Sequence, residues 1–256
     1  MRSDLRTDQI RGWLCPQDPS TNANHARKRR HEGTGAWLLK NLVFQSWHSG
    51  LRRHLWLHGL AGCGKTVLSA TVLDHLAKGN DGPILSFFFD FSDTTKQTLD
   101  GMLRSLAFQL YQDGASSAGL DASFEAHQDG RDKPTTQTLK DIVYNMLAVR
   151  KKVSIVLDAL DESTTRDELL RWIQDVVSRP DLGHVQLICT GRPEAEFFDK
   201  IGERNRLALD KQSIDADIRS YVTAQLSKRR DFQDKNLPRD ILDQIEKNVG
   251  DGADGM

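Results

Sequence analysis

The chain has 256 residues, enough to bury one full-sized α/β core with a small appendage rather than two equal domains. Lys and Arg total 35 against 36 Asp and Glu, so no overall field gathers nucleic acid or an anionic membrane, and neither is expected as a partner. Three widely spaced cysteines exclude a disulfide framework and a paired metal site. No apolar run approaches the roughly 20 residues of a membrane span, and the start lacks a signal-peptide core, so a cytoplasmic address is expected.

In chain order, Pro16, Pro19 and the polar stretch Asp18 to Asn24 read as an irregular lead-in. The basic run Lys28-Arg29-Arg30 reads as a solvated helix face, with Arg30 near enough to serve the site below. Gly33-Thr34-Gly35 is a joint, after which Ala36 to Trp47 carries apolar residues at helical spacing. His54 to His58 is a short strand running into a glycine-rich loop, and Thr66 to Leu76 continues as a helix. Ile84 to Phe91 has the near-continuous apolar character of a strand covered on both faces. Leu99 to Tyr111 is an amphipathic helix, Gly114 to Pro134 a polar loop or linker, and Thr138 to Val149 a further helix. Val153 to Leu157 is a buried strand ending in acid, Arg166 to Val177 a helix, and Val185 to Thr190 a strand. The alternation predicts a parallel sheet sandwiched by helices, with its ligand crevice at the carboxyl ends of the strands. From Ser213 onward the pattern is helical, with Ile214, Ile218, Tyr221, Val222 and Leu226 on one face.

Gly59-Leu60-Ala61-Gly62-Cys63-Gly64-Lys65-Thr66 follows a strand and opens a helix, the placement a phosphate-binding loop requires. Glycines let backbone N–H groups close on phosphate oxygens, and the helix dipole favours their charge. Lys65 supplies a point charge, the Thr66 hydroxyl a magnesium ligand, and the predicted ligands are a nucleoside triphosphate and Mg2+. Gly59, Ala61, Gly62, Cys63, Gly64, Lys65, Thr66 and Val67 are the candidate nucleotide contacts. Asp158, delivered by a buried strand to the carboxyl edge, is the second magnesium-side residue beside Thr66. Asp161 and Glu162 stand close enough to polarise a water attacking the terminal phosphate or to complete the outer metal shell, or else simply open the next helix. Arg192 at the end of the next strand is placed to sense a terminal phosphate.

Arg30-His31-Glu32-Gly33-Thr34-Gly35, Trp56-Leu57-His58-Gly59, Phe87 to Phe91, Leu157 to Glu162 and Thr190-Gly191-Arg192-Pro193 together resemble the NACHT domain of fungal NOD-like receptors, over about Trp13 to the end. The resemblance implies the STAND class of P-loop NTPases: an ASCE-type sheet plus a helical domain that clasps the nucleotide. Its boundaries here are a leader over 1–33, the nucleotide-binding domain over 34–205, and a truncated helical domain over 206–256. It also implies a switch that binds and slowly hydrolyses ATP, with GTP possible. The ADP form is closed, and the triphosphate form self-associates in immune or non-self signalling. Lys65 and Thr66 become the Walker A pair, Asp158 the Walker B acid, Arg192 the sensor-1 arginine, with Lys65, Asp161, Glu162 and Arg192 as the catalytic set. Thr34 and Gly35 become candidates for the base edge. Two departures stand out: the family's Thr-Ser-Arg-Pro reads Thr-Gly-Arg-Pro, loosening the strand at Gly191, and the winged-helix and repeat regions are expected to lie outside this chain. A nucleotide-binding scaffold with negligible hydrolysis is the alternative function. A small-molecule kinase and a DNA initiator find no supporting arginine cluster or helix-turn-helix pattern.

Overall fold

The computed structural model describes residues 4–79, 81–114, 118–228 and 238–252. In order, the elements are helix α1 (Asp4–Leu14), α2 (Ser20–Arg29), α3 (Ala36–Lys40), α4 (Leu42–His48), strand β1 (His54–His58), α5 (Lys65–Gly79), β2 (Ile84–Phe88), α6 (Leu99–Gln112), α7 (Ala118–Ala126), α8 (Thr136–Ala148), β3 (Val153–Asp158), α9 (Arg166–Ser178), β4 (Val185–Gly191), α10 (Ala195–Lys200), β5 (Arg206–Ala208), α11 (Lys211–Lys228) and α12 (Arg239–Gly252). The strands form one parallel sheet in the order β2-β3-β4-β1-β5. This is the strand order of the ASCE type of P-loop NTPase, with β4 between the loop-bearing β1 and the acid-bearing β3.

Alternate residues of each strand face opposite layers, as the pleat dictates. Ile155, Leu157 and Leu187 pack with Ile10, Trp13, Leu106, Val143 and Trp172 of α1, α6, α8 and α9. Val156, Ile188, Leu55 and Leu57 pack with Ala23, Leu38, Trp47, Leu68 and Val72 of α2 to α5. Both faces are therefore covered, and β3 and β4 are buried at every position.

Three segments differ from expectation. Ser20–Arg29 is helical where a lead-in was expected, because Asp18 accepts from Ser20 N–H at 2.8 Å and buried Ala23 and Ala26 face the protein. The helix expected over Ala36 to Trp47 breaks at Asn41, which turns extended and caps Val43 N–H of α4 at 2.8 Å. The polar stretch Gly114 to Pro134 contains α7, whose buried Leu120 and Phe124 pack beneath α1. Arg6 ties the two helices together through Asp121 at 3.1 Å, and Trp13 meets Phe124 edge-on at 5.4 Å. An isolated pair of apolar residues gives no readable period, so the partner helix carries the signal. Strand β2 ends at Phe88 rather than Phe91, and the short edge strand β5 had no pattern to announce it. The expected glycine- and aspartate-rich end, Gly250 to Gly255, lies partly outside the described residues.

Candidate functional site

Between β1 and α5 the chain turns through Gly62 and Gly64, both left-handed with φ of 81° and 82°, a region glycine enters without a Cβ penalty. The first N–H groups of α5 have no acceptor within the helix, so they and the loop amides form a concave donor array. At Gly59 a Cβ would stand 2.8 Å from Cys63 Sγ, so the loop closes on itself there and Cys63 is a buried filler. Lys65 Nζ lies along the loop, donating to the carbonyls of Gly59 at 2.8 Å and Leu60 at 2.7 Å.

Asp158 ends β3 and is 2% exposed. Its Oδ2 accepts from Thr66 Oγ1 at 2.7 Å, and its Oδ1 from Ser69 Oγ at 2.6 Å and Thr190 Oγ1 at 2.7 Å. Burial pushes this carboxyl's pKa up, while the three hydroxyls and the charge of Lys65 oppose the rise. Thr190 also accepts from Ala159 N–H at 3.0 Å, pinning Ala159 at φ 57°, ψ 53°, a left-handed pose costly for a residue with a Cβ. That bend swings Asp161 and Glu162 back toward the loop, and the Arg166 guanidinium holds the turn through the Asp161 carbonyl.

Asp161 accepts from Arg192 N–H at 3.0 Å and pairs with Arg192 Nε at 3.1 Å, a backbone and side-chain grip on the end of β4. Gly191 stays within β4, opposite His58, despite the loosening expected there. A Cβ at 191 would lie 3.3 Å from Trp56 Nε1 and 3.4 Å from Asp161 Oδ1, so a side chain there would press on Trp56 and the glycine relieves that contact. Glu162 accepts from Phe91 N–H at 2.9 Å, and burial raises its pKa against that hydrogen bond.

The predicted residues thus converge on a cavity of about 250 Å³ lined by Ala61, Gly62, Gly64, Lys65, Thr66, Val67, Ala159, Asp161, Glu162 and Arg192. A second, predominantly apolar cavity of about 370 Å³ lies on the other side of the loop, sharing Gly62, Gly64 and Val67 with the first. Arg30, Thr34 and Trp37 form one side and α11 the other. Thr34 lines this cavity. Gly35 does not, and its N–H donates instead to Asp217 Oδ2 at 2.9 Å. Arg30 bridges Asp74 at 2.9 Å and reaches Thr71 at 3.2 Å, so the basic run is anchored in part to α5.

A glycine loop with outward-facing amides fits a polyphosphate, and a hydroxyl beside a carboxylate suits a hard cation that keeps most of its waters. Among the described residues no group of three or more His, Cys, Asp or Glu side chains could hold a metal by itself, and no helix is long and apolar enough to cross a membrane. Three residues of the site escaped the sequence reading: Ser69, three positions after Thr66 on the same helical face; Thr190, an ordinary strand residue by pattern; and Asp217, the one acid on an apolar stripe.

The family profile described as "Nephrocystin 3, N-terminal" matches residues 33–192. The vegetative incompatibility protein HET-E-1 of Podospora anserina is 35% identical over 99 residues, covering 35% of this chain and 7% of that protein. Among solved structures, a DNA replication initiation factor aligns with a TM-score of 0.46 and 13% identity over 85% of this chain and 57% of that one. A Walker-type ATPase of Pyrococcus abyssi aligns with a TM-score of 0.46 and 14% identity over 82% and 63%. The chain spans less than two thirds of each of these relatives. The profile and the fungal relative agree with the NACHT resemblance carried by the motifs.

Proposed function

We propose, for a chain that belongs to the Nephrocystin 3, N-terminal family, the function of a nucleotide-dependent switch that binds ATP or GTP with Mg2+, hydrolyses it slowly, and couples nucleotide state to self-association. The observation that carries this reading is the meeting of Thr66 and Asp158 at 2.7 Å directly behind the glycine loop, where a helix start and a strand end present one hydroxyl and one carboxylate together.

In this reading the amides from Leu60 to Val67, Ala61 and Cys63 included, bind the phosphates, Gly59 shapes the loop with its N–H held by the Gly191 carbonyl, and Lys65 exchanges its loop carbonyls for phosphate oxygens. Thr66 and Asp158 hold the cation, while Thr34 lines the base side and Gly35 acts there only through its hydrogen bond to Asp217. A bound magnesium ion would draw charge from the phosphate oxygens and leave the terminal phosphorus more open to attack. Glu162, whose raised pKa suits a proton acceptor, and Asp161 orient the attacking water, and Arg192 contacts the terminal phosphate. Leu60 and Phe91, 61% and 74% exposed beside the loop and Glu162, supply apolar surface for a second copy. The free Cys15, Cys63 and Cys189 support a reducing, cytoplasmic setting. We divide the chain into a nucleotide-binding unit over 34–205, onto which α1 and α2 pack and which β5 extends by pairing with β1, and a helical segment from Lys211.

Light scattering of the full chain with nucleoside diphosphate and with a non-hydrolysable triphosphate tests the switch. The triphosphate alone should raise the mass, and Lys65→Ala should abolish the rise. A mass independent of nucleotide would contradict it. The engagement of Arg192 by Asp161 and of Glu162 by Phe91 N–H favours a second reading, a scaffold that binds without appreciable turnover. Binding and assembly with no detectable phosphate release would select it.

A further inference from the structure

Helix α11 turns Ile214, Asp217, Ile218 and Tyr221 toward the apolar cavity, the i, i+3, i+4, i+7 spacing of one helical face, opposite Thr34 and Val67. Asp210 starts this helix by accepting from Ser213 N–H at 2.8 Å, which fixes the register that places Asp217 in the wall. Asp217 Oδ2 accepts twice, from Gly35 N–H at 2.9 Å and from Trp37 Nε1 at 3.0 Å. Among the described residues nothing donates to Oδ1. Asp217 is half-buried, so water reaches Oδ1; an occupant of the cavity that brings an N–H takes that water's place, whereas one without a donor buries the oxygen unpaired at a cost.

We propose that Asp217 reads the edge of the purine bound in this cavity, with Oδ1 accepting an N–H from the exocyclic amino group of adenine or from the N1/N2 edge of guanine. The assignment rests on the nucleotide-binding reading above and extends it to base selection. The rings lie between Val67 and the α11 stripe, and the hydrogen bond supplies discrimination that apolar walls cannot. Gly35 and Trp37 already hold the carboxylate in place, so little ordering is needed when the base arrives. The same side chain links α11 to the turn at Gly35, so reading the base also draws the helix onto the loop.

The test compares magnesium complexes of ATP, GTP and purine riboside triphosphate on the full chain. The last has the same rings and phosphates but no N–H on its pyrimidine edge. ATP or GTP should bind about ten-fold or more tightly than the donor-free analogue, and the better of the two identifies the base. Asp217→Asn keeps an oxygen for Gly35 and Trp37 but turns an NH2 toward the base, and it should erase that advantage while leaving the analogue's affinity within about three-fold. Equal binding of all three nucleotides by the wild type would overturn the role of Asp217 while leaving the phosphate site intact. That comparison needs no variant to fold. Failure of all three to bind would overturn the reading of the site itself.

Discussion

Thr190→Val removes one hydroxyl and almost no volume, yet that hydroxyl joins β4, the end of β3 and the turn that follows. Thr190 is 1% exposed, so no water replaces what is lost. The Ala159 N–H would lose its acceptor, at a cost of about 1–3 kcal/mol for an unsatisfied buried donor. Asp158 would keep Thr66 and Ser69 but lose one donor to a buried charge, roughly another 1 kcal/mol. Relaxation of Ala159 from its left-handed pose returns about 1 kcal/mol, leaving a net loss of about 1–3 kcal/mol. For a chain of this size that corresponds to a fall in Tm of roughly 2–12 °C. Thermal unfolding followed by circular dichroism, with and without magnesium nucleotide, reads both consequences: a lower Tm and a smaller stabilisation by nucleotide, because the bend that aims Asp161 and Glu162 is loosened. Thr190→Ser should restore most of both. If Thr190→Val unfolds within a degree of wild type and keeps its full nucleotide-induced shift, the Thr190 relay does not organise the site.

Asp158→Asn should remove the magnesium-dependent part of nucleotide affinity in a calorimetric titration. It should alter stability by only about 1 kcal/mol, since removing a charge whose burial already raises its pKa offsets the weaker hydrogen bonds. Arg192→Ala removes a half-exposed arginine but leaves the buried Asp161 carboxylate without its cation, so stability should fall by about 1–3 kcal/mol, while discrimination of triphosphate over diphosphate should fall by about ten-fold or more. Loss of stability without loss of discrimination would return Arg192 to a structural role. His54, at the start of β1, has its pKa lowered to about 4 by burial, with Arg204 and Arg53 adding to the effect. A depressed folded-state value means its contribution is complete above pH 6.5 and is lost as pH falls toward 4. The loss is at most about 3 kcal/mol, and less for partial exposure. Urea unfolding at pH 7, 5.5 and 4.5 should show that slope in wild type and a flatter one in His54→Gln.

Where a single element carried its own signal, the sequence was enough. The loop glycines, Lys65 and the apolar run into Asp158 each predict a local geometry, and β1, β3, β4 and α5 lie where those patterns put them. Signals shared between distant segments were not legible. Helix α7 is stabilised by Arg6 and Trp13 from more than a hundred residues away, and α2 by alanines whose burial depends on α5. Ser69 and Thr190 are unremarkable one at a time and become a shell only when α5 and β4 converge on Asp158. Gly191 read as a weak point because its neighbour Trp56 comes from another strand. Asp217 broke an apolar period visibly, but only the folded contact with Gly35 and Trp37 gave the break a meaning.

The central claim is that the loop from Gly59 to Thr66 binds the phosphates of a nucleotide. It is tested most directly by isothermal titration of the full chain with magnesium ATP and magnesium GTP, in parallel with Lys65→Ala. The account predicts saturable one-to-one binding of at least one nucleotide by wild type, weakened at least about a hundred-fold in Lys65→Ala at unchanged Tm. Binding of equal strength by both proteins, or by neither, would contradict it.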